Sequence, residues 1–594
     1  MTANKEHKEQ DAVDIETIRH STAHIMAEAV RSLFPQVKFG IGPAIENGFY
    51  YDFDIPDLGA DDILKIETKM RDLIKSGLTF KRENITKEDA LRLFKDQPYK
   101  LELIQDLPDG DITTYTSGSF TDLCAGPHIA SSFKIPLDGF KLERIAGAYW
   151  RGSEKNPMLQ RIYGIAFLNR KDLEAYLALQ EEIRKRDHRV IGKDLDLFVF
   201  SDLIGKGLPI FTEKGSVIRR ELERFIVDEE LKRGYKHIYS PELANVELYK
   251  TSGHYPYYKD TMYPVMKVDQ EELMLRPMTC PHHFQYYASK PRSYKELPFR
   301  IAELAKQFRY EKSGELTGLM RVRIFCLADS HIICHPNQAT GELNSVLDLI
   351  EYIAGILGYK VGENYRYRLS LGDRSDENKY YKDDDAWEAA EEVLRQVLVE
   401  RKANFFEAKN EAAFYGPKID IQMKNVAGVE NTAFTVQYDF VMPKRFKLTY
   451  IDNDGKEKEP IVIHRSSIGA IERTMAFLIE HYSGSFPVWL SPVQAAIIPI
   501  AETHTEYARK LEAELKAAGV RVRVDATTER MNQKIRLAQK EKIPYMLVVG
   551  DREVADNTVA VRLRSGAQAT LPFADFKAKL LKTIAERTIG IELT

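Results

Sequence analysis

Cysteine is scarce in this sequence of 594 residues, and its four copies, Cys124, Cys280, Cys326 and Cys334, form no Cys-x-x-Cys pair. So few scattered thiols exclude a disulfide framework and are typical of a reduced, cytoplasmic protein. There is no run of about 18 apolar residues, so we expect no membrane-spanning helix. The polar start MTANKEHKEQDAVD lacks the apolar core of a signal peptide, and we expect a disordered tail over residues 1–15.

An excess of charge of one sign is also missing. The 85 Lys and Arg residues nearly balance the 89 Asp and Glu residues, which gives a net charge of -4. Any surface for nucleic acid must therefore come from local basic patches. The sequence does contain 44% hydrophobic residues, enough for several cores. At roughly 100–200 residues per domain, its length predicts about three to five domains.

Shifts in composition divide the chain into blocks. Helical stretches and Gly/Pro-rich loops form a first α+β block over residues 16–187, followed by a charged linker over 188–200. A large mixed block with many short strands covers 201–489. From 490 to 594, the strands AAIIPIA, VRVRVD and YMLVVG alternate with helix-like segments, which predicts an α/β unit with parallel or mixed pairing.

The first block contains a candidate site. In IRHSTAHIMAEAV, His20 and His24 stand four residues apart and project from one face of a helix. Further along, FTDLCAGPHIA contributes Asp122, Cys124 and His128. Three imidazoles and a thiol suit either a metal or a hydrolytic pocket. The pattern is also compatible with a competing interpretation, a His-x-x-x-His pair satisfied by local hydrogen bonds.

The densest chemistry lies in FRYEKSGELTGLMRVRIFCLADSHIIC of the central block. Arg309 and Glu311 share a face of a predicted strand. A second predicted strand carries six residues on one face: Arg321, Arg323, Phe325, Leu327, Asp329 and His331. Arginines can bind phosphate oxygens, an aromatic ring can stack on a base, and a carboxylate can hold an ammonium group. A merely exposed, charged hairpin explains poorly why Phe, Asp and His share the face of the arginines.

Cys280 in LRPMTCPHH, His464 in IVIHRSS and Arg473 in IGAIERTMAFLIEH are further candidates. Each by itself is more often structural than functional. Spacing rules require metal ligands that are close in sequence, so they cannot assemble Cys280, His331 and His464 into a site.

These residues resemble class II aminoacyl-tRNA synthetases, and specifically the threonyl-tRNA synthetase family, from about residue 16 to about 585. YSPELANVELYKTSGH resembles motif 1, FRYEKSG with GLMRVRIF resembles motif 2, and IGAIERTMAFLIE resembles motif 3. HSTAHIMA with DLCAGPH is similar to the editing domain that threonyl and alanyl enzymes share. The resemblance implies an α+β editing domain, a class II catalytic core with an antiparallel sheet and flanking helices, and a C-terminal α/β anticodon-binding domain.

The resemblance also implies roles for individual residues. Zinc would be bound by Cys280, His331 and His464. Threonine would lie against Asp329 and Tyr415. ATP, with Mg²⁺, would be bound by Arg309, Glu311, Arg321, Phe325, Gln437 and Arg473. Of these, Arg309, Glu311, Arg321 and Arg473 would support catalysis. Editing would use His20, His24, Cys124 and His128, with Asp122, Tyr51 and Lys100 in support. Anticodon bases would contact Glu553 and Arg562.

The chemistry of the family implies which wrong amino acid is attached to tRNA most often. A site that must coordinate the threonine hydroxyl rejects valine strongly, whereas serine keeps that hydroxyl and loses a methyl group worth on the order of 1–3 kcal/mol. Mischarged seryl-tRNA is therefore the expected substrate of editing, by an activated water and without a metal. The implied protein is a cytoplasmic homodimer that binds tRNA(Thr).

Three departures from the family pattern stand out. Editing motifs begin by His20, so we expect the small leading TGS domain of typical bacterial members to be missing. Leu327 stands where the family commonly has a glutamine, and leucine can neither donate nor accept a hydrogen bond. Thr528 replaces an asparagine in the anticodon domain.

Two alternatives to an active, editing enzyme remain open from the sequence. One is a non-catalytic paralogue that binds tRNA or senses an amino acid; Leu327 favours it, and the intact arginines and zinc ligands disfavour it. The other is a decayed editing domain, which the cysteine and three histidines disfavour.

Overall fold

The computed structural model describes residues 14–108, 110, 112–376 and 378–593. The predicted tail over residues 1–15 lies almost wholly outside this described part. The chain forms two compact units, the first ending at Glu182 and the second beginning at Ile183. No helix of the described residues has both the length and the apolarity needed to cross a bilayer.

The first unit packs helices on antiparallel sheets. Its helices are α1 (Ile15–Leu33), α2 (Ala60–Lys75), α3 (Lys87–Leu93) and α4 (Pro98–Asp106). Its strands are β1 (Lys38–Phe39), β2 (Ala44–Ile45), β3 (Gly48–Asp54), β4 (Phe80–Ile85), β5 (Ile112–Ser117), β6 (Phe120–Leu123), β7 (Phe140–Tyr149) and β8 (Met158–Ala166). One sheet has the order β1-β3-β8-β7 with β2 on β3, and the other has the order β4-β5-β6. Helix α1 is buried on all sides from Ser21 to Val30, which brings His24 into the core.

Helix α5 (Arg170–Arg186) carries the chain into the second unit. The further helices of its larger part are α6 (His188–Asp194), α7 (Glu213–Lys232), α8 (Val246–Ser252), α9 (His254–Tyr257), α10 (Cys280–Ala288), α11 (Ala339–Ile356), α12 (Asp384–Glu400), α13 (Met442–Phe446) and α14 (Ile471–Tyr482). The main sheet uses β11 (Lys236–His237), β15 (Phe299–Phe308), β16 (Ile324–Cys334), β17 (Tyr365–Ser370), β18 (Phe405–Ala408), β19 (Lys418–Lys424), β20 (Glu430–Asp439) and β23 (Ile461–Ala470). Short strands outside it are β9 (Phe198–Val199), β10 (Ile210–Phe211), β12 (Leu243–Asn245), β13 (Met266–Val268), β14 (Glu271–Leu275), β21 (Tyr450–Ile451) and β22 (Glu457–Lys458).

The eight-stranded main sheet has the order β11-β15-β16-β23-β20-β19-β17-β18. Its central pairs are antiparallel, and the outermost pairs, β11 with β15 and β17 with β18, are parallel. Strand β23 is buried over nearly its whole length because α11 and α14 pack against the sheet. The strand nevertheless carries polar residues, because His464, Arg465 and Ser466 line the cleft described below.

The C-terminal part is the α/β fold predicted from its alternating pattern. Its helices are α15 (Thr505–Ala517), α16 (Met531–Lys540), α17 (Asp551–Asp556) and α18 (Phe573–Ala585). Its strands are β24 (Ala495–Pro499), β25 (Val522–Val524), β26 (Tyr545–Val549), β27 (Thr558–Leu563) and β28 (Gln568–Pro572). The order is β25-β24-β26-β27-β28, parallel for the first three strands and antiparallel after them.

Candidate functional site

A cleft of about 770 Å³ opens over the main sheet of the second unit. Strands β15, β16, β20 and β23 and the first turn of α14 contribute to its walls. The structure brings together here every residue predicted to bind ATP, threonine or zinc: Cys280, Arg309, Glu311, Arg321, Phe325, Asp329, His331, Tyr415, Gln437, His464 and Arg473. The cleft is therefore one candidate site assembled from segments far apart in sequence.

Strand register explains how three dispersed ligand residues converge. His331 on β16 lies directly opposite His464 on β23, so the two rings project from one face of the sheet. Cys280 is the first residue of α10. One ligand atom from each of these three buried residues lies within 4.8 Å of the others.

Neighbouring carboxylates fix which ring nitrogens are free. His464 Nε2 lies 2.6 Å from Asp439 Oδ2, so Nε2–H donates to the carboxylate and Nδ1 keeps its lone pair. His331 Nδ1 lies 2.8 Å from His283 Nδ1, and His283 Nε2 lies 3.3 Å from Glu303 Oε2. The consistent assignment is that His331 donates to His283, which in turn donates to Glu303. This leaves His331 Nε2 free to bind a cation.

The donor set fits zinc. Burial lowers the pKa of His331 well below its usual value, which keeps the imidazole neutral as a metal ligand must be. Burial raises the pKa of the Cys280 thiol, so a bound cation would have to displace its proton. One thiolate and two imidazoles leave a fourth tetrahedral position open, as in functional rather than structural zinc sites.

The other end of the cleft concentrates positive charge. Arg309 lies with its guanidinium carbon 5.0 Å from the centre of the Phe325 ring. Arg473, in the first turn of α14, donates to the carbonyl oxygens of Met320 and Thr432. Burial, and then repulsion by Arg309 and Arg321, lowers the pKa of Arg473. Facing arginines of this kind favour a bound polyphosphate, because its oxygens relieve the repulsion.

The predicted pair of strands is shorter than its sequence pattern indicates. Strand β15 ends at Phe308 and β16 begins at Ile324, so Arg309, Glu311 and Arg321 lie in the connection between them. A 3₁₀ turn (Ser313–Glu315) and Gly318, with φ of 49°, break the strand alternation. Arg323 consequently stacks over Tyr310 and is not part of the cleft lining.

Glu311 forms an ion pair with Arg321. Arg321 Nε donates to Glu311 Oε2 at 2.9 Å. Arg321 is exposed, whereas Glu311 is half-buried. Such an ion pair is weak in solvent, so a base and a phosphate can separate the two side chains at small cost.

The cleft also contains residues that sequence reasoning missed: His254, Tyr258, Met278, Gln307 and Lys418. His254 is buried, and its Nδ1 lies 2.7 Å from Ser252 Oγ. His254 ends the motif 1 segment and Met278 lies in LRPMTCPHH, but neither residue type by itself indicated a place in the cleft. Gln307 and Lys418 come from strands β15 and β19, and no spacing rule joins them to the motifs. Knowledge of the strand register would have found Gln307, which lies opposite Phe325.

A second cluster lies in the first unit. Cys124 Sγ is 3.3 Å from His20 Nε2 and 3.2 Å from His128 Nε2. His24 Nδ1 is 3.4 Å from His128 Nε2. Ligand atoms of His20, Cys124 and His128 lie within 4.8 Å of one another. The structure therefore brings together the thiol and three imidazoles predicted from two separate motifs.

A buried ion pair supports this cluster. Lys100 Nζ lies 2.6 Å from Asp122 Oδ1, and the Tyr51 hydroxyl donates to Asp122 Oδ2 at 2.5 Å. Lys100 also donates to the Tyr51 hydroxyl oxygen at 3.1 Å. All three side chains are buried, so removal of one partner would leave an uncompensated buried charge.

Burial sets the protonation state of this cluster. It lowers the pKa of His24 to about 3 and that of His128 to about 2, and it raises the pKa of Cys124 to about 11. At neutral pH His24 and His128 are uncharged and only weakly basic, and the thiol is protonated and is a weak nucleophile. The protonated thiol disfavours covalent catalysis, so the chemistry that this cluster supports best is binding and orienting a water molecule.

The first unit is expected to lose stability as the pH falls from 6.5 towards 3. The unfolded chain protonates His24 near pH 6.5, whereas the folded chain does so near pH 3. Each such histidine should cost about 1–2 kcal/mol of unfolding free energy between pH 6.5 and pH 5. Hydrogen exchange of the α1 amides, corrected for intrinsic rates, measures this loss. His24→Asn should show a smaller change over that interval; an unchanged pH response would refute the assignment.

The anticodon residues lie in the C-terminal α/β part. Glu553 is in the first turn of α17, where its Oε2 accepts from the Gly550 N–H at 2.9 Å. Arg562 lies on β27, and its Nε atom is buried without a hydrogen-bond partner among the described residues. Thr528 is exposed in the segment between β25 and α16. Base contacts for Glu553 and Arg562 stay predictions.

Three family models match this chain. Residues 263–482 match the tRNA synthetase class II core domain (G, H, P, S and T), and residues 494–583 match the anticodon binding domain. Residues 112–163 match the threonyl and alanyl tRNA synthetase second additional domain.

Similar proteins cover nearly the whole chain. Threonine–tRNA ligase of Staphylococcus epidermidis is 52% identical over 552 residues, which is 92% of this chain and 85% of that protein. The enzyme of the same name from Streptococcus suis is 49% identical over 586 residues, 97% of this chain and 89% of that protein. The chain belongs to the threonine–tRNA ligase family. The family, fold class and enzyme class predicted from the motifs are thereby confirmed.

Solved structures agree with membership of the threonine–tRNA ligase family. A crystal structure described as the RNA binding domain of threonyl-tRNA synthetase from Cryptosporidium parvum has a TM-score of 0.64 and 33% identity. The match covers 69% of this chain and 99% of that one.

Proposed function

We propose that the protein activates L-threonine with ATP to threonyl-adenylate and transfers the threonyl group to the 3′ end of tRNA(Thr). We propose further that the first unit hydrolyses mischarged seryl-tRNA(Thr). The observation that carries the charging reaction is one cleft, in a chain of this family, that holds arginines at one end and a Cys/His/His set at the other.

Activation requires positioning and charge stabilisation rather than a protein nucleophile. Asp329 holds the threonine ammonium group, and Arg309 holds the α-phosphate, so the carboxylate attacks phosphorus in line. Arg321 and Arg473 stabilise the β- and γ-phosphates as pyrophosphate leaves, and Mg²⁺ bound with ATP would supply further positive charge there. Phe325 stacks on adenine, and Glu311 accepts from its amino group. The arginines thus offset the negative charge that develops on the phosphate oxygens during the reaction.

Cys280, His331 and His464 would hold zinc at the threonine end of the cleft. When bound, zinc would supply a Lewis-acid contact to the amino and hydroxyl groups of threonine. Tyr415 stacks on His464 with ring centres 4.8 Å apart, and its hydroxyl donates to Gln437 Oε1. These two side chains shape the wall that faces the bound amino acid or the terminal ribose.

The editing proposal follows from what the first site cannot reject. Valine lacks the hydroxyl group, whereas serine differs from threonine by one methyl group, a difference worth roughly 10–200-fold. A second, hydrolytic site is therefore needed for seryl-tRNA. His20, His24, Cys124 and His128 would bind and activate water against the seryl ester, and Lys100, Asp122 and Tyr51 would fix the pocket.

The charging proposal predicts threonine-dependent ATP–pyrophosphate exchange. Threonine should support the fastest exchange, and serine should support a detectable rate. Valine should be on the order of 10⁴-fold less effective than threonine, because it has no hydroxyl group to fill the polar site. Exchange is measured with each amino acid beside quantification of bound zinc. Absence of threonine-dependent exchange in zinc-loaded protein would refute the proposal and favour a non-catalytic paralogue.

The editing proposal predicts that His20→Ala slows deacylation of seryl-tRNA(Thr) by roughly 10²–10⁴-fold, as expected for loss of a general base. Charging with threonine serves as the control in the same variant, because His20 lies in the first unit, outside the charging cleft. Cys124→Ala should give a loss in the same direction. Equal deacylation by wild type and His20→Ala would remove this histidine from the mechanism.

The proposal includes a cytoplasmic homodimer with the anticodon arm of tRNA at residues 490–594. Support for a dimer comes from the resemblance of residues 239–254 to motif 1. Four free cysteines support a reducing compartment. Light scattering of purified protein tests the dimer.

A further inference from the structure

One glutamine connects the two charged groups between which the threonine carboxylate must lie. Gln307, near the end of β15, is 1% exposed and lines the cleft. Its Nε2 donates to Asp329 Oδ2 at 3.2 Å and to Thr279 Oγ1 at 3.1 Å. Its Oε1 accepts from Arg309 Nη2 at 3.3 Å. Both ends of the amide are thus engaged.

The register of β15 and β16 places this amide beside Leu327. Gln307 lies opposite Phe325, and Ala305 lies opposite Leu327. Residues directly opposite share a face of an antiparallel pair, and diagonal neighbours remain within reach of a long side chain. Gln307 and Leu327 are therefore diagonal neighbours on the face that lines the cleft. Leu327 contributes a hydrocarbon wall, and the adjacent strand contributes the hydrogen bonds.

We propose that Gln307 is a positioning residue for threonine activation, which holds Asp329 and Arg309 at a fixed separation and supplies from β15 the amide that Leu327 cannot supply. The inference rests on the proposed charging function. It assigns Gln307 no direct chemistry: the residue acts through the carboxylate that receives the ammonium group and the guanidinium that receives the α-phosphate.

The geometry of an amino acid explains why the contacts of Gln307 with Asp329 and Arg309 would affect the rate of activation. The ammonium and carboxylate of an amino acid are attached to one carbon, so the spacing of Asp329 and Arg309 sets the distance from the attacking oxygen to phosphorus. Errors of about 1 Å in such a distance cost on the order of 10²-fold in rate. A neutral amide suits the position because it donates at one end and accepts at the other. A carboxylate at position 307 would repel Asp329.

The test compares Gln307→Met, Leu327→Gln and the double variant in threonine-dependent exchange. Gln307→Met should lower kcat/KM for threonine on the order of 10–100-fold, because Asp329 and Arg309 each lose a hydrogen bond made by a charged group. The double variant, which moves the amide to β16, should have a kcat/KM for threonine at least tenfold higher than that of Gln307→Met. A purely structural role for Gln307 predicts no such recovery.

Gln494→Met is the matched control. Gln494 is also a buried glutamine with both ends of its amide engaged: its Nε2 donates to the Val488 carbonyl oxygen at 3.0 Å and its Oε1 accepts from the Arg521 N–H at 2.9 Å, outside the cleft. Its variant should keep the kcat/KM of wild type, and thermal unfolding of all variants reports whether they fold. The inference is overturned if Gln307→Met stays within twofold of wild type, or if the double variant is no better than Gln307→Met. Inactive wild-type protein would instead refute the charging function.

Discussion

Replacing Cys280 with serine should remove bound zinc and threonine-dependent exchange together. A serine hydroxyl is a far poorer ligand than a thiolate, and the two remaining imidazoles do not complete a zinc site. A metal contact to substrate is worth several kcal/mol, so exchange should fall on the order of 10³-fold or more. Zinc content and exchange are measured on the same preparation.

Cys334→Ala is the matched control for that experiment. Cys334 is a buried cysteine on the strand that carries His331, yet it belongs to the apolar core beneath the sheet. Its variant should keep zinc and exchange even if it unfolds at a lower temperature. Normal exchange by Cys280→Ser without bound metal would contradict the zinc assignment and leave the phosphate end of the cleft unaffected.

Arg309→Gln should produce the second large loss, on the order of 10²–10³-fold in kcat for adenylate formation. Glutamine keeps some hydrogen bonding but removes the charge that faces the α-phosphate, and one lost electrostatic contact of this kind typically has that effect. Since Arg309 repels Arg473, the repulsion between them should also fall. Single-turnover adenylate formation separates this effect from product release.

Arg220→Gln controls for the general loss of an arginine. Arg220 is exposed on α7 and pairs with Glu221 at 2.8 Å, outside the cleft. An exposed pair of this kind is worth at most about 1 kcal/mol. Its variant should retain the wild-type rate. An Arg309→Gln enzyme with undiminished adenylate formation would show that another group binds the α-phosphate.

Local patterns predicted the histidine–cysteine cluster of the first unit better than the residues that surround it. The i, i+4 spacing of His20 and His24 places both on one face of α1, and the Gly-Pro turn between Cys124 and His128 brings the second motif back on itself. The helix period is enough for such a prediction. Local sequence pattern gave little indication of Lys100, because its role depends on a buried carboxylate, that of Asp122, which is distant in sequence.

In the charging cleft, residue types were predictable and geometry was not. Alternation along β16 correctly places Phe325, Asp329 and His331 on one face, but it extends too far, to Arg321 and Arg323, because sequence alternation does not reveal where a strand ends. The convergence of His331 with His464 depends on strand register, which a single sequence does not specify. For the same reason, Gln307 carried no signal.

The register that joins His331 to His464 also dictates when the metal centre can form. Its ligands are separated by 51 residues (331 - 280) and 133 residues (464 - 331) along the chain. Contacts of such long range form slowly, because large loops must close before β16 and β23 can pair. Zinc, as proposed for this site, would therefore bind only after β16 and β23 have paired. Since backbone hydrogen bonds hold the two histidines opposite each other, a gently chelated protein should stay folded and recover zinc without a return to the unfolded state.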